Sequence, residues 1–204
     1  MSKVKVAVIV GSNRRESINR KLAAALVRLA GDRIEAWSIR IDDLPMYNQD
    51  LEGNRPETVN RFTDQVAAAD ALLVVTPEHN RSLPAVLKNA IDWGSKPMER
   101  NVWKGKVAAI TGTSPGAIGT AVGQQHLRQI LGVLGSLVVG GEAYVSFKPD
   151  LINEDGEIAN EGTRAFLQAY LDNFITVATK LTAPPSVASG ADGLPITGAR
   201  PAAA

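Results

Sequence analysis

Five strand-like runs recur along the chain, each separated from the next by a stretch with helical period. This alternation limits the possible folds more than any other feature. The runs are Val6–Val10, Ile34–Ile39, Ala71–Thr76, Val107–Thr111 and Leu137–Val139. Between them, apolar residues repeat at helical spacing: Ile18, Leu22, Leu26 and Leu29; Val59, Phe62, Val66 and Ala69 behind Pro56; Val86, Leu87, Ala90 and Ile91 behind Pro84; and Val122, Leu127, Ile130, Leu131 and Leu134. A last helix is expected from about Glu161 to Lys180, with Phe166, Tyr170, Phe174 and Val177 inward. Strands interleaved with amphipathic helices form a parallel sheet covered on both faces, so the pattern predicts an α/β three-layer sandwich. Five strands suit the order 2-1-3-4-5. One domain is expected over residues 1–180. Residues 181–204, rich in Ala, Pro, Gly and Ser and without period, read as a disordered tail.

In such a sheet, ligands bind beyond the carboxyl ends of the strands, at the switch between strands 1 and 3. That rule brings together the loops after strands 1, 3 and 4, which are the most unusual in the chain. After the first strand, Gly11 opens a polar loop, and a helix begins near Ser17. The free N–H groups and positive dipole end of that helix make an anion site, and phosphate is the usual occupant. Ser12, Ser17 and Asn19 add hydroxyl and amide donors; Arg14 and Arg15 add charge. The loop is not a dinucleotide fingerprint, because Gly11 stands alone and the second strand runs into Arg40 instead of an acid. It also lacks the G-K-S/T of a P-loop. An ordinary solvated turn with Ser17 as N-cap is the competing account of these residues. The third strand ends in Pro77-Glu78-His79-Asn80. The fourth ends in a run containing Gly112, Gly116 and Gly119, where backbone can approach a flat ligand closely.

Composition narrows the function classes. Net charge is +1, from 22 basic and 21 acidic residues, which leaves no global footprint for nucleic acid or membrane. No apolar run has the length of a membrane span, and the N-terminus lacks the apolar core of a signal peptide, so a cytoplasmic protein is expected. The absence of cysteine excludes disulfides, thiolate catalysis and Cys-based metal sites. Two distant histidines, His79 and His126, do not suggest a zinc site. Gly112-Thr113-Ser114-Pro115-Gly116 matches the spacing of a serine nucleophile elbow, but Pro115 has no N–H to donate to an oxyanion. Glu78 and His79 do not form an acid–base pair, since neighbours on an extended segment point opposite ways.

Four motifs in order, Gly11-Ser12-x-Arg14-x-x-Ser17-x-Asn19, Leu44-Pro45-Met46-Tyr47-Asn48, Pro77-Glu78-His79-Asn80 and Leu87-Lys88-Asn89-Ala90-Ile91-Asp92-Trp93, together with His126-Leu127-Arg128-Gln129, resemble the NADPH-dependent FMN reductase family. Within it, the bacterial chromate and quinone reductases are the branch they resemble most. The resemblance runs from about residue 4 to 180 and implies a flavodoxin-like fold with non-covalent FMN. It implies that Ser12, Arg14, Ser17 and Asn19 hold the phosphate. Pro77, Glu78, His79 and Asn80 would line the ring, largely through backbone, and Ser114 and Gly116 would complete the ring site. His79 stands where such relatives commonly carry tyrosine. The implied reaction moves hydride from NADPH or NADH to the flavin and then two electrons to quinones, with chromate as a further acceptor. Arg81 and Arg100 are the available cations for anionic acceptors, Arg100 from its own or a partner subunit. A homodimer or homotetramer is implied, with the Pro84–Trp93 helix as the contact. The alternative is a flavodoxin-type FMN electron carrier with no substrate pocket, against which the balanced charge speaks.

Overall fold

Alternate residues of β1 (Val4–Val10) go to opposite faces of the sheet, and both faces are apolar. In a computed structural model that describes residues 3–182, Val4, Val6, Val8 and Val10 pack with α1 (Ile18–Ala30) and α5 (Glu161–Thr182). Ala7 and Ile9 pack on the other side, with residues of α2 (Glu57–Ala67), α3 (Ala85–Ser95) and α4 (Ala121–Val133). The remaining strands are β2 (Ile34–Ile39), β3 (Ala71–Val75), β4 (Val107–Ser114), β5 (Leu137–Val138) and β6 (Ala143–Ser146). Their order is β2-β1-β3-β4-β5, all parallel, with β6 also paired to β4. The flavodoxin-like three-layer sandwich therefore forms as expected. The tail expected from Leu181 lies outside the described residues, except for Leu181 and Thr182, which complete α5.

The sheet has six strands and not five, because the fifth position is shared by two short segments. β5 pairs with Val107 and Ala108, and β6 pairs with Thr111–Ser114. Val139, Gly140, Gly141 and Glu142 lie between them. At the break, Ile110, paired with Val74 of β3 on one side, has no strand partner on the other. The Tyr170 hydroxyl of α5 fills the place: it accepts from Ile110 N–H at 2.9 Å and donates to Ile110 C=O at 2.8 Å. Burial pushes the Tyr170 phenol pKa up, which keeps the hydroxyl a donor.

The segment 42–53 is a packed loop ending in a short 3₁₀ helix, Gln49–Asn54. Two motifs of the sequence turn out to be halves of one contact here. Asn89 accepts from Tyr47 N–H at 2.8 Å and donates to Pro45 C=O at 2.9 Å, while Trp93 Nε1 donates to the same carbonyl at 2.7 Å. No helix among the described residues is long and apolar enough to cross a membrane.

Candidate functional site

The loops after β1, β3 and β4 meet at the carboxyl end of the sheet. They enclose a cavity of about 340 Å³. From the first loop it is lined by Ser12, Arg14, Ser17 and Asn19; from the second by Pro77, Glu78 and His79; from the third by Thr113 and Ser114. Three expected site residues, Asn80, Arg81 and Gly116, sit on the same loops but do not line the cavity. Arg100 lies elsewhere, exposed in the short 3₁₀ turn Met98–Arg100 beyond α3.

Ser17 caps α1. Its backbone is extended (φ −77°, ψ 122°), and its hydroxyl accepts from Arg20 N–H at 3.4 Å. That bond is long, and the first turn of α1 holds no acidic residue, Glu16 standing just before the cap, so N–H groups at the positive end of the helix stay available to a ligand. Arg14 is exposed beside it, with no side-chain partner among the described residues. The loop's close fit rests on two glycines. A Cβ at Gly11 would meet Thr76 Oγ1 at 2.3 Å, and one at Gly112 would meet Thr76 C=O at 1.9 Å.

Asn19 is buried, and its amide is committed to main chain: Nδ2 donates to Thr113 C=O at 2.9 Å, and Oδ1 accepts from Thr113 N–H at 2.8 Å. It fastens the first loop to the third. Thr113 Oγ1, in contrast, is buried on the cavity lining without any hydrogen-bond partner in the described chain. A buried hydroxyl without a partner is costly, and in a cavity wall it marks a place for a ligand's polar group. Nothing in the sequence singles out Thr113.

After β3 the chain makes a tight turn in which His79 and Ser82 exchange main-chain bonds, both at 2.9 Å. Asn80 and Arg81 both adopt positive φ, 50° and 62°. This is the conformation of a type I′ turn, for which Arg81 is an unfavourable residue. Arg81 Nη1 lies 3.3 Å from Glu78 Oε1, and Glu78 Oε2 accepts from Gly123 N–H at 3.0 Å. In the third loop, Ser114 Oγ accepts from Gly116 N–H at 3.0 Å and so shapes the turn. His126 Nδ1 lies 3.1 Å from Ser82 Oγ, and Ser114 has no histidine partner among the described hydrogen bonds. A serine–histidine couple of the hydrolase kind is not assembled.

Comparison with known proteins gives this geometry its chemistry. The family model of NADPH-dependent FMN reductase matches residues 4–150. The chain belongs to that family. A 2-hydroxy-1,4-benzoquinone reductase of a Burkholderia species is 46% identical over 172 residues, covering 84% of this chain and 94% of that protein. A quinone reductase of Pseudomonas putida is 46% identical over 171 residues, covering 83% and 91%. Among solved structures, FerB, a flavoenzyme NAD(P)H:(acceptor) oxidoreductase from Paracoccus denitrificans, superposes with a TM-score of 0.84 at 44% identity, covering 87% of this chain and 98% of that one. As an FMN reductase, the protein is an NAD(P)H-dependent enzyme that uses FMN. The residues present suit that cofactor. A cationic loop at a helix N-terminus suits a phosphate, the unpaired Thr113 hydroxyl suits a polar chain, and Gly11 and Gly112 let the loops that carry them pack closely on Thr76.

Proposed function

We propose that the cleft holds FMN with Ser12, Arg14 and Ser17 about the phosphate, and with the main chain of residues 77–80 and the 112–119 loop about the ring. In this role Asn19 acts indirectly, by fixing the main chain of Thr113 and with it the third loop beside the ligand. Electrons pass from NAD(P)H to quinones, as the names of the Burkholderia and Pseudomonas relatives suggest, and chromate is a further acceptor. FMN held there by these residues would supply the redox chemistry, hydride acceptance and two-electron return. No side-chain acid or base is required. Main-chain N–H groups of the 112–119 loop supply fixed dipoles to the ring edge, and Ser114 holds those groups in place through Gly116.

The observation that carries this reading is the convergence on one cavity of a helix end with no acidic residue in its first turn, an arginine without a side-chain partner among the described residues and an unpaired buried hydroxyl. Arg81 and Arg100 serve anionic acceptors. Arg100, outside the cavity of its own chain, does so from a second subunit of a homodimer or homotetramer in which α3 forms the contact. The test is the absorbance spectrum of the purified protein, followed by anaerobic titration with NADPH and NADH and reoxidation by a quinone and by chromate. A yellow protein bleached by free NAD(P)H and restored by quinone supports the enzyme. A yellow protein that free NAD(P)H does not bleach is the electron carrier instead. A colourless protein that takes up no added FMN overturns the cofactor assignment.

A further inference from the structure

The turn after β3 is fastened to a helix that belongs to the next βα unit. Glu78 carries a charge, yet its side chain is only 8% exposed, and both carboxylate oxygens are engaged. Its partner Gly123 is the third residue of α4, a position whose N–H has no acceptor within the helix. Thr120 precedes the helix and would ordinarily cap that group, but its hydroxyl is taken by Gln124 Nε2 at 2.8 Å and makes no cap. Glu78 therefore caps α4 from another element, with a negative charge at the positive helix end. Glycine leaves room for the approach, and a side chain there would be tight. A Cβ at position 123 would meet Ser82 C=O at 3.0 Å and Glu78 Cγ at 3.4 Å. Asn80 suits the left-handed turn, but Arg81 at φ 62° does not, so the turn carries a cost at the residue that reaches Glu78.

We propose that Glu78 is a positioning residue: its carboxylate, held between Gly123 N–H and Arg81, sets the spacing between the 77–82 turn and α4, and with it the width of the cleft that receives the flavin ring. The proposal rests on the FMN reading of the cleft given above. It assigns the Glu78 side chain a role separate from the main-chain contacts of its own segment.

Three variants test it. Glu78→Ala removes the strut. Glu78→Gln keeps an oxygen for Gly123 N–H but drops the charge. Gly123→Ala pushes on the turn from the opposite side while raising intrinsic helix propensity. The readouts are the FMN dissociation constant, from quenching of flavin fluorescence, and amide exchange at Gly123 in the FMN-free protein. Loss of a charge-assisted hydrogen bond predicts about tenfold or more weaker FMN binding for Glu78→Ala, with about tenfold faster exchange at Gly123. Glu78→Gln should stay within about threefold of wild type in both, since a neutral hydrogen bond survives. Gly123→Ala should weaken FMN binding without lowering the melting temperature of the FMN-free protein. Wild-type affinity in Glu78→Ala overturns the proposal, even with faster exchange, because the contact would then cap α4 without shaping the cleft. Equal damage from Glu78→Gln and Glu78→Ala overturns it too, because the hydrogen bond to Gly123 N–H that the amide keeps would then contribute nothing to the cleft. So does undiminished FMN binding in Gly123→Ala. Failure of wild type to bind FMN overturns the cleft reading instead, and exchange at Gly123 then decides whether the strut exists.

Discussion

Asn19 reproduces, with one side-chain amide, the pair of hydrogen bonds that a neighbouring strand would give Thr113. It is needed because β4 outruns β3. Thr76 N–H still reaches Thr111 C=O at 3.0 Å, but the chain then turns away at Pro77. Asn19→Asp keeps the acceptor for Thr113 N–H and sets a second carboxylate oxygen against Thr113 C=O, at a residue 1% exposed. The variant should lose about 3 kcal/mol in urea denaturation of the FMN-free protein at neutral pH, from repulsion and desolvation together. Undiminished stability would mean that the amide is not the clamp. The sequence marked Asn19 as polar and close to a helix start, which suits a phosphate ligand. It could not show where β3 stops relative to β4, and that difference in length is what commits the amide to main chain. For the same reason Thr113 was illegible: a threonine at a strand end looks like any other until its neighbours are known to leave its hydroxyl unpaired.

At the scale of elements, β1 to β5 and all five helices were legible because each carries an apolar run or a period of its own, whereas β6 was not. Ala143–Ser146 is four residues long and follows two glycines and a glutamate, so nothing local distinguishes it from a loop. Its pairing to β4 is decided by the partner strand. α5 was placed correctly but turned differently. Phe166, expected inward, is half exposed, while Leu167 and Leu171 are buried with Tyr170 and Phe174. Apolar residues stand side by side at 166–167, 170–171 and 174–175, which offers two faces about 100° apart. The bond from Tyr170 to Ile110 is available to one of them. Tyr170→Phe should cost about 1–3 kcal/mol in thermal or urea unfolding, since it strands a buried N–H and C=O of Ile110; equal stability would show that the strand break needs no partner. α2 is tied to the packed loop by Arg61, whose two Nη atoms each lie 2.8 Å from an oxygen of Asp43. The Arg61 hydrogen bond holds the Asp43 carboxyl below its usual range, although burial opposes it. A depressed folded pKa stabilises above the unfolded value of about 4 and loses that contribution as pH falls through the folded value. Arg61→Met should therefore be about 1 kcal/mol less stable at pH 7, with the gap closing below about pH 4. A gap that stays constant from pH 7 to pH 3 would rule out this ion pair as its source.

For the whole molecule, the cleft joins loops from separate βα units, and the chain already bonds them to one another through Asn19–Thr113, Gly11 N–H to Val75 C=O and Glu78–Gly123. A ligand held there touches every layer of that network, so its binding energy should resist global unfolding and not only the opening of one loop. FMN at about 100 times its dissociation constant stabilises by about 2.7 kcal/mol. In a domain of this size that corresponds to a rise in melting temperature of about 5–11 °C. Arg14 separates the ligand's contribution from the fold's own. It is exposed and unpaired among the described residues, so Arg14→Ala should melt with wild type when FMN is absent. Losing a charged contact to phosphate raises the dissociation constant about 10- to 100-fold. The same FMN concentration then stabilises by about 1.4 kcal/mol at the mild end of that range and about 0.4 at the severe end. Scanning calorimetry with and without FMN reads both effects in one pair of proteins. An FMN-induced rise as large in Arg14→Ala as in wild type would remove Arg14 from the phosphate site. A lower melting temperature without FMN would show that the arginine supports the fold, and the loop after β1 would then have to hold its anion through Ser12, Ser17 and the end of α1 alone.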